Sequence, residues 1–310
     1  MLDARARRHA GGLGVAAGAY PAMTVPVLAR LRAGADGGVV AEVGGHEMGQ
    51  GMTTALVRAV AGDLGIGAES VRVVVGDTRA VPHHLTAGAW GTNSTLLAVH
   101  AALRDLRERL RVPSEGPVDV AAAVRATGAE EVVAEAVTQG PGQPPEAIDR
   151  MRAGLVAPAG PDYPDHVAFS FIAHFVEVRV EPAAPRVRVS RVVSVADCGR
   201  VASPVTADAQ VRGAVVWGIG AALSEHSEVD PRYGGFVNAD LADYVIPVNA
   251  DVGGIEVDFI DEPDFTLNPM GVKTLGEVAL VGVAPAIANA VFHATGHRPR
   301  RLPIRIEDLL

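Results

Sequence analysis

Apolar positions recur with a period of two in some stretches of the chain and near 3.6 in others, and the changes of period divide it. Val25–Arg32 and Val39–Val43 predict two paired strands, joined through Gly34-Ala35-Asp36-Gly37-Gly38, whose Asp-Gly step suits a tight turn. Met52–Leu64 sets Leu56, Val60 and Leu64 on one helical face and stops at Gly65. Val71–Val75 is a β-branched strand, and Thr92–Leu110 a longer helix ending before Pro113. The charge run Arg104–Arg111 carries Asp105 four residues before Arg109 and reads as the solvated face of that helix.

Residues 113–165 are rich in proline. Two short helical stretches, Val118–Arg125 and Glu130–Val137, and the loop Gln139–Pro145 read as a connecting segment or small insert. From 166 onward, Val176–Val180 and Arg186–Val195 alternate as a hairpin with Pro182–Pro185 at its turn. Thr206–Leu223 is an Ala/Gly/Val helix, Ile255–Ile260 a strand, and Ala284–Thr295 a helix closed by Gly296. The expected fold is α/β with two subdomains, 12–112 and 166–310, each a mixed β-sheet covered by helices, with 113–165 between them. The two blocks share a layout but no sequence repeat.

Composition narrows the function. The chain has 310 residues, 48% apolar and 20% charged, enough for a substantial core. A net charge of −9 without a basic stripe argues against nucleic-acid binding. The single cysteine, Cys198, excludes an internal disulfide and falls short of the ligand set of an iron–sulfur cluster. No apolar run is long enough for a membrane span and no apolar signal core opens the chain, so a cytoplasmic protein is expected.

Four segments combine glycine with polar side chains. Gly44–Gly51 (GGHEMGQG) leads from a strand into a helix, where backbone N–H groups and the Gln50 amide could hold an anion; it reads equally as a glycine-rich turn. Thr86–Thr95 also enters a helix, and its hydroxyls suit an oxygen-rich ligand or a simple N-cap by Thr92 or Ser94. Asp197–Arg200 precedes the helix carrying Gln210, an amide in an apolar stretch that is either a satisfied core group or a ligand contact. Gly271–Glu277 ends in a carboxylate beside the apolar run Val278–Val283. Glu277 is a general base if desolvated, or a first-turn carboxylate on a helix dipole. A zinc site from His46, His83, His84, His174 and His226 is disfavoured, because Gln50 stands where a zinc protease has its second histidine.

The same four segments resemble the molybdenum-cofactor-binding large subunit of the xanthine dehydrogenase/aldehyde oxidase family. The stretches are GGHEMGQGMTTALVRAVAGDLGI from Gly44, VVVGDT from Val73, TAGAWGTNST from Thr86 with the following AVHAAL, VADCGRVASPVTADAQVRGAVVWGIGAAL from Val195, and GVKTLGEVALVGVAPAIANAVFHATGHRPRRLPI from Gly271, the most specific of them. Together they span most of the chain outside 113–165. The resemblance is to the C-terminal half of a subunit usually more than twice this length. Gly91-Thr92-Asn93 stands where Gly-Ser-Arg is frequent, and Thr274 where Gly is usual.

The resemblance implies a molybdopterin cofactor, simple or as the cytosine dinucleotide, whose dithiolene binds the molybdenum so that the protein supplies no metal ligand. Met48, Gly49 and Gln50 would contact it, Ala87, Gly88, Ala89, Trp90, Gly91 and Thr92 would wrap its phosphate or pterin, and Gln210 would bond the pterin. Glu277 would be the catalytic base beside the molybdenum. The implied reaction is oxidation of an aldehyde or a purine-like N-heterocycle with water as oxygen source. Partner chains would carry iron–sulfur clusters, in some assemblies FAD, and the N-terminal half of the large subunit; an apolar face of this chain would then be left for that half to cover. The competing expectation is a non-catalytic remnant that binds no molybdenum.

Overall fold

A computed structural model describes residues 10–181 and 186–309. The turn expected at Pro182–Pro185 lies outside the described residues.

The strands are β1 (Ala10–Pro21), β2 (Val27–Gly34), β3 (Val39–Val43), β4 (Val71–Val75), β5 (Glu131–Thr138), β6 (Phe169–Val180), β7 (Val187–Asp197) and β8 (Val252–Phe259). The helices are α1 (Met52–Leu64), α2 (Gly91–Leu110), α3 (Val120–Thr127), α4 (Glu146–Arg152), α5 (Pro204–Leu223) and α6 (Val283–Thr295). Two four-stranded mixed sheets form, ordered β4-β3-β2-β5 and β1-β6-β7-β8. Each is built on one plan. An antiparallel hairpin (β2/β3, β6/β7) is followed by a helix (α1, α5) that crosses to a strand parallel to the hairpin's second member (β4, β8). A second helix follows (α2, α6), and the fourth strand (β5, β1) pairs antiparallel on the far side.

The sheets cut across the sequence division at 12–112, 113–165 and 166–310. β1 belongs to the second sheet and β5 to the first. β1 is glycine-rich because it lies directly beneath α6. A Cβ on Gly12 or Gly14 would overlap the α6 backbone at Ala290 or Ala286, so those positions admit only glycine at this separation.

The expected helix at Glu130–Val137 is instead strand β5. Glu131 and Glu135 are four apart, which suits a helix face but also places both on one face of a strand. There they meet Arg32 at 3.1 Å and Arg30 at 2.9 Å on β2, and Glu42 of β3 joins the ladder. β-Branched Val132, Val133 and Val137 favour the strand, and α2 covers its apolar side.

Two cores result. Leu31, Val39, Leu56, Leu64, Leu103 and Leu106 fill the space between the first sheet and α1/α2. Ile172, Val176, Val192, Val215, Ile287 and Val291 fill that between the second sheet and α5/α6. Arg107 corrects the reading of its charge run as solvated. Asp105 and Arg109 do pair on the surface at 2.8 Å, but Arg107 is buried. Its Nε donates to Asp63 Oδ1 at 2.8 Å, and its Nη atoms donate to the carbonyls of Pro113 (2.7 Å) and Gly116 (2.9 Å), clasping the exit of α2.

Candidate active site

In both halves the hairpin's second strand and its parallel neighbour run into helices through loops, and these four strand-to-helix loops are the four glycine-bearing segments. Ligand crevices in α/β folds form at such carboxyl ends of strands. Met48–Gly51 (β3 to α1), Thr86 to Thr92 (β4 to α2), Cys198 to Ser203 (β7 to α5) and Val272 to Glu277 (β8 to α6) line one cavity of about 480 Å³.

Specific contacts hold the loops together. The Thr86 hydroxyl accepts from His46 N–H at 2.9 Å, joining the first two. Gly51, at φ 84°, lies against Thr206 on the first turn of α5, and a Cβ there would overlap that side chain. A Cβ on Gly276 would sit 3.7 Å from Ala89. Arg200 N–H donates to Gly271 O at 2.7 Å and Lys273 N–H to Cys198 O at 2.8 Å. The buried Lys273 ammonium pairs with Asp197 at 3.2 Å and Asp264 at 3.4 Å.

The first loop is not an open anion cradle. Glu47 turns its carboxylate back to accept from the N–H groups of Gly49 and Gly51 at 3.1 Å each and of Thr53 at 2.8 Å. Burial alone would raise its pKa, yet these donors hold the carboxyl below the usual range. Gln50 is also committed to the loop: its Oε1 accepts from Met48 N–H at 2.7 Å, and its Nε2 donates to His46 O at 2.7 Å. What this loop offers the cavity is the exposed Met48 side chain and a close backbone.

The second loop differs. Neither Thr92 nor Ser94 caps α2; Trp90 holds the N-cap position without a side-chain hydrogen bond, and no acid lies in the first turn. The leading N–H groups of α2 therefore lack the acceptors that Glu47 gives α1. Asn93, Ser94 and Thr95 are buried and structurally engaged: Asn93 Nδ2 donates to Met23 O at 3.0 Å, Ser94 Oγ accepts from Val25 N–H at 3.1 Å, and Thr95 Oγ1 donates to Gly91 O at 2.7 Å. Thr92 is left on the cavity wall with Ala87, Ala89 and Gly91. Gly88 and Trp90 do not line it. Trp90 packs into the first core and donates from Nε1 to Leu85 O at 2.6 Å. Gly88 and Ala89 both sit at φ 53°, a conformation that costs energy for alanine and is retained in the loop wall.

On α5, Thr206, Gln210 and Trp217 share the face turned to the cavity. Gln210 is half-buried there rather than packed in the core, and its amide makes no hydrogen bond among the described residues. Two residues overlooked in the sequence stand out. Trp217 is 69% exposed, an unusual place for a large aromatic in a helix of small residues. Arg200 is exposed at the rim, with no ion-pair partner for its guanidinium among the described residues.

Glu277 is exposed at the cavity's lip, in a turn six residues ahead of α6, whose first turn holds no acid. It therefore does not serve that helix's dipole. Its neighbour is Tyr20, from the end of β1. Burial and hydrogen bonding to the Glu277 carboxylate push the Tyr20 phenol up to about 12. Cys198 lies in the wall with its thiol also pushed up to about 12, by burial first and by Asp197 second, which keeps it protonated. His174 is distant from His46 and His83, buried on β6 with Nδ1 2.8 Å from Ser194 Oγ. Among the described residues no group of three or more His, Cys, Asp or Glu could hold a metal ion.

A cavity of about 530 Å³ opens at the opposite end of α5, beside Leu223. Its Arg186 is already paired with Asp251 at 3.0 Å, and none of the four segments reaches it. Among the described residues no helix is long and apolar enough to cross a membrane.

Comparison with known proteins gives the site its context. Residues 2–253 match the molybdopterin cofactor-binding domain family. The aldehyde oxidoreductase molybdenum-binding subunit of Escherichia coli is 37% identical over 304 residues, covering 96% of this chain and 40% of that subunit. The 6-hydroxypseudooxynicotine dehydrogenase complex subunit gamma of Paenarthrobacter nicotinovorans is 29% identical over 88% of this chain and 36% of that protein. The crystal structure of the aldehyde oxidoreductase from Desulfovibrio desulfuricans superposes with a TM-score of 0.76 at 26% identity, covering 97% of this chain and 32% of that one. The chain thus spans well under half the length of these relatives. It belongs to the molybdopterin cofactor-binding domain family, within the large subunits of molybdenum hydroxylases.

Proposed function

We propose that this chain forms the cofactor-facing part of a molybdenum hydroxylase that oxidises an aldehyde or a purine-like N-heterocycle, with water as the oxygen source. The observation that carries the reading is the convergence of four strand-to-helix loops on one cavity with an exposed carboxylate at its lip.

The donor set suits molybdopterin, in its simple or cytosine-dinucleotide form. The uncapped start of α2 and the rim guanidinium of Arg200 suit a phosphate. The Gln210 amide can both donate to and accept from a pterin edge. Met48, Gly49 and Gln50 on one side, and Ala87, Ala89, Gly91 and Thr92 on the other, close around the group; Gly88 and Trp90 hold the shape of the second loop. When bound, the cofactor supplies two-electron redox chemistry. A carboxylate oxygen of Glu277 takes up the proton released as water is activated, with the Tyr20 phenol beside it. Trp217 shields one side from solvent.

The complete enzyme is cytoplasmic and includes the remainder of the large subunit, an iron–sulfur subunit and, in some assemblies, an FAD subunit. The test is Glu277→Gln in the complex purified from its own host. Turnover of an aldehyde and heterocycle panel should disappear while molybdenum content holds. Undiminished turnover would remove Glu277 as the base.

A further inference from the structure

We propose that His174 is a positioning residue for Glu277: fixed on Ser194 inside the second core, its ring supplies an N–H to the carbonyls of the turn that presents the carboxylate. The role rests on the function proposed above. The chain ahead of Glu277 is anchored by the buried Lys273 on Asp197 and Asp264. The chain behind it turns within residues 275–283, where Leu280 N–H donates to Glu277 O at 3.2 Å and Val281 N–H to Val278 O at 3.0 Å. Glu277 is exposed, so its place at the cavity's lip depends on that backbone.

Two carbonyls of the turn, those of Ala279 and Val281, receive no backbone N–H among the described residues. The helical donor for Val281 O would be residue 285, which is proline. Val283 N–H, four residues beyond Ala279, goes to Leu280 O at 3.3 Å instead. Beneath the turn lies His174, fully buried. Gly282, at φ 101°, crosses over its ring: a Cβ there would lie 3.3 Å from Cδ2 and 3.4 Å from the carbonyl carbon of Ala17. Cδ2 neighbours Nε2, so this edge faces the turn, while Nδ1 meets Ser194 Oγ at 2.8 Å. Burial keeps the imidazole neutral, its pKa brought down to about 4, and the carbonyls of Val281 and Ala279 pull the other way. Carbonyls only accept, so the single N–H of the neutral ring belongs at Nε2, and Nδ1 accepts from the Ser194 hydroxyl. Nε2 is buried without a closed hydrogen bond. An unused N–H beneath two unused carbonyls is a donor matched to its acceptors. An approach of the turn to the sheet closes the bond and fixes the backbone of Glu277.

The experiment compares H174N and H174Q with the unaltered chain, each in the complex purified from its own host. Asn keeps a polar group only where Nδ1 stands; Gln places an amide nitrogen where Nε2 stands. Thermal melts give the folded fraction, and molybdenum is measured on the same preparations. Per folded chain, H174N should lower kcat on the aldehyde and heterocycle panel by about tenfold to a hundredfold, with KM and molybdenum content unchanged. H174Q should recover most of that loss. Hydrogen exchange at the Leu280 and Val281 amides should quicken in H174N and not in H174Q. Equal kcat for the two variants, whether full or reduced, or a loss confined to the folded fraction, overturns the positioning role. If E277Q is inactive in the same assay, the proposed function then still stands. An unaltered complex that turns over none of the panel removes both.

Discussion

Lys273 Nζ lies 3.2 Å from the Asp197 carboxylate, tying the end of β7 to the loop that carries Glu277. The lysine is buried, while its two acidic partners keep partial contact with water. Removing it leaves Asp197 and Asp264 facing each other without a cation. Lys273→Met should therefore lower stability by about 2–3 kcal/mol, less than a fully buried pair would lose. Turnover should fall further than the folded fraction does, because the Glu277 loop loses its anchor. Urea denaturation set beside activity per folded molecule separates the two effects.

Arg107 and Arg109 give a second comparison within one helix turn. Arg107 is buried with its guanidinium on Asp63 and two loop carbonyls, whereas Arg109 pairs with Asp105 on the surface. Arg107→Ala should cost about 3–5 kcal/mol, since it strands buried acceptors, and Arg109→Ala no more than about 0.5 kcal/mol. Equal effects in denaturant titrations would contradict the burial assigned to Arg107.

Two buried histidines make stability depend on pH. Burial holds His84 down to about 4, with His83 and His46 adding to the effect. Burial also brings His174 to about 4, against the opposing pull of backbone acceptors near Val281 and Ala279. An unfolded histidine takes up its proton near pH 6.5, so between there and about 4 the unfolded state binds more protons and stability decreases as the pH is lowered. The contribution is complete above pH about 6.5 and lost toward about 4, on the order of 3 kcal/mol per histidine. Denaturation midpoints should drop on acidification through this window, and His174→Asn should flatten the slope.

Arg200 is the test of the rim. Its guanidinium has no ion-pair partner among the described residues, so Arg200→Glu should leave thermal stability within about 0.5 kcal/mol. Phosphate-bearing cofactor retained through gel filtration should nevertheless fall several-fold. Full retention would place the phosphate elsewhere.

Much of the scaffold was legible because single-period patterns dominate it. Met52, Leu56, Val60 and Leu64 are spaced four apart and all reach the core, and α1 begins and ends where the pattern does. The rest was hidden for identifiable reasons. β1 has glycine where a strand shows apolar side chains, because α6 lies against its backbone. β6 extends to Phe169, but Ser170 and His174 interrupt its buried face; the Ser170 hydroxyl meets Thr274 and His174 Nδ1 meets Ser194. In β5 the two glutamates fit either period, and the arginines that decide between them sit on β2. At the cavity, all four loops were visible as glycine-rich segments. Their convergence, the capping of α1 by Glu47 and the approach of Tyr20 to Glu277 depend on tertiary contacts that no local pattern encodes.

The measurement that bears most directly on the central claim is the molybdenum and pterin content per chain of the complex isolated gently from its own host. The cavity formed by the four loops predicts near-stoichiometric amounts of both. A folded chain isolated together with the rest of its large subunit, yet without molybdenum or pterin, would contradict the assignment.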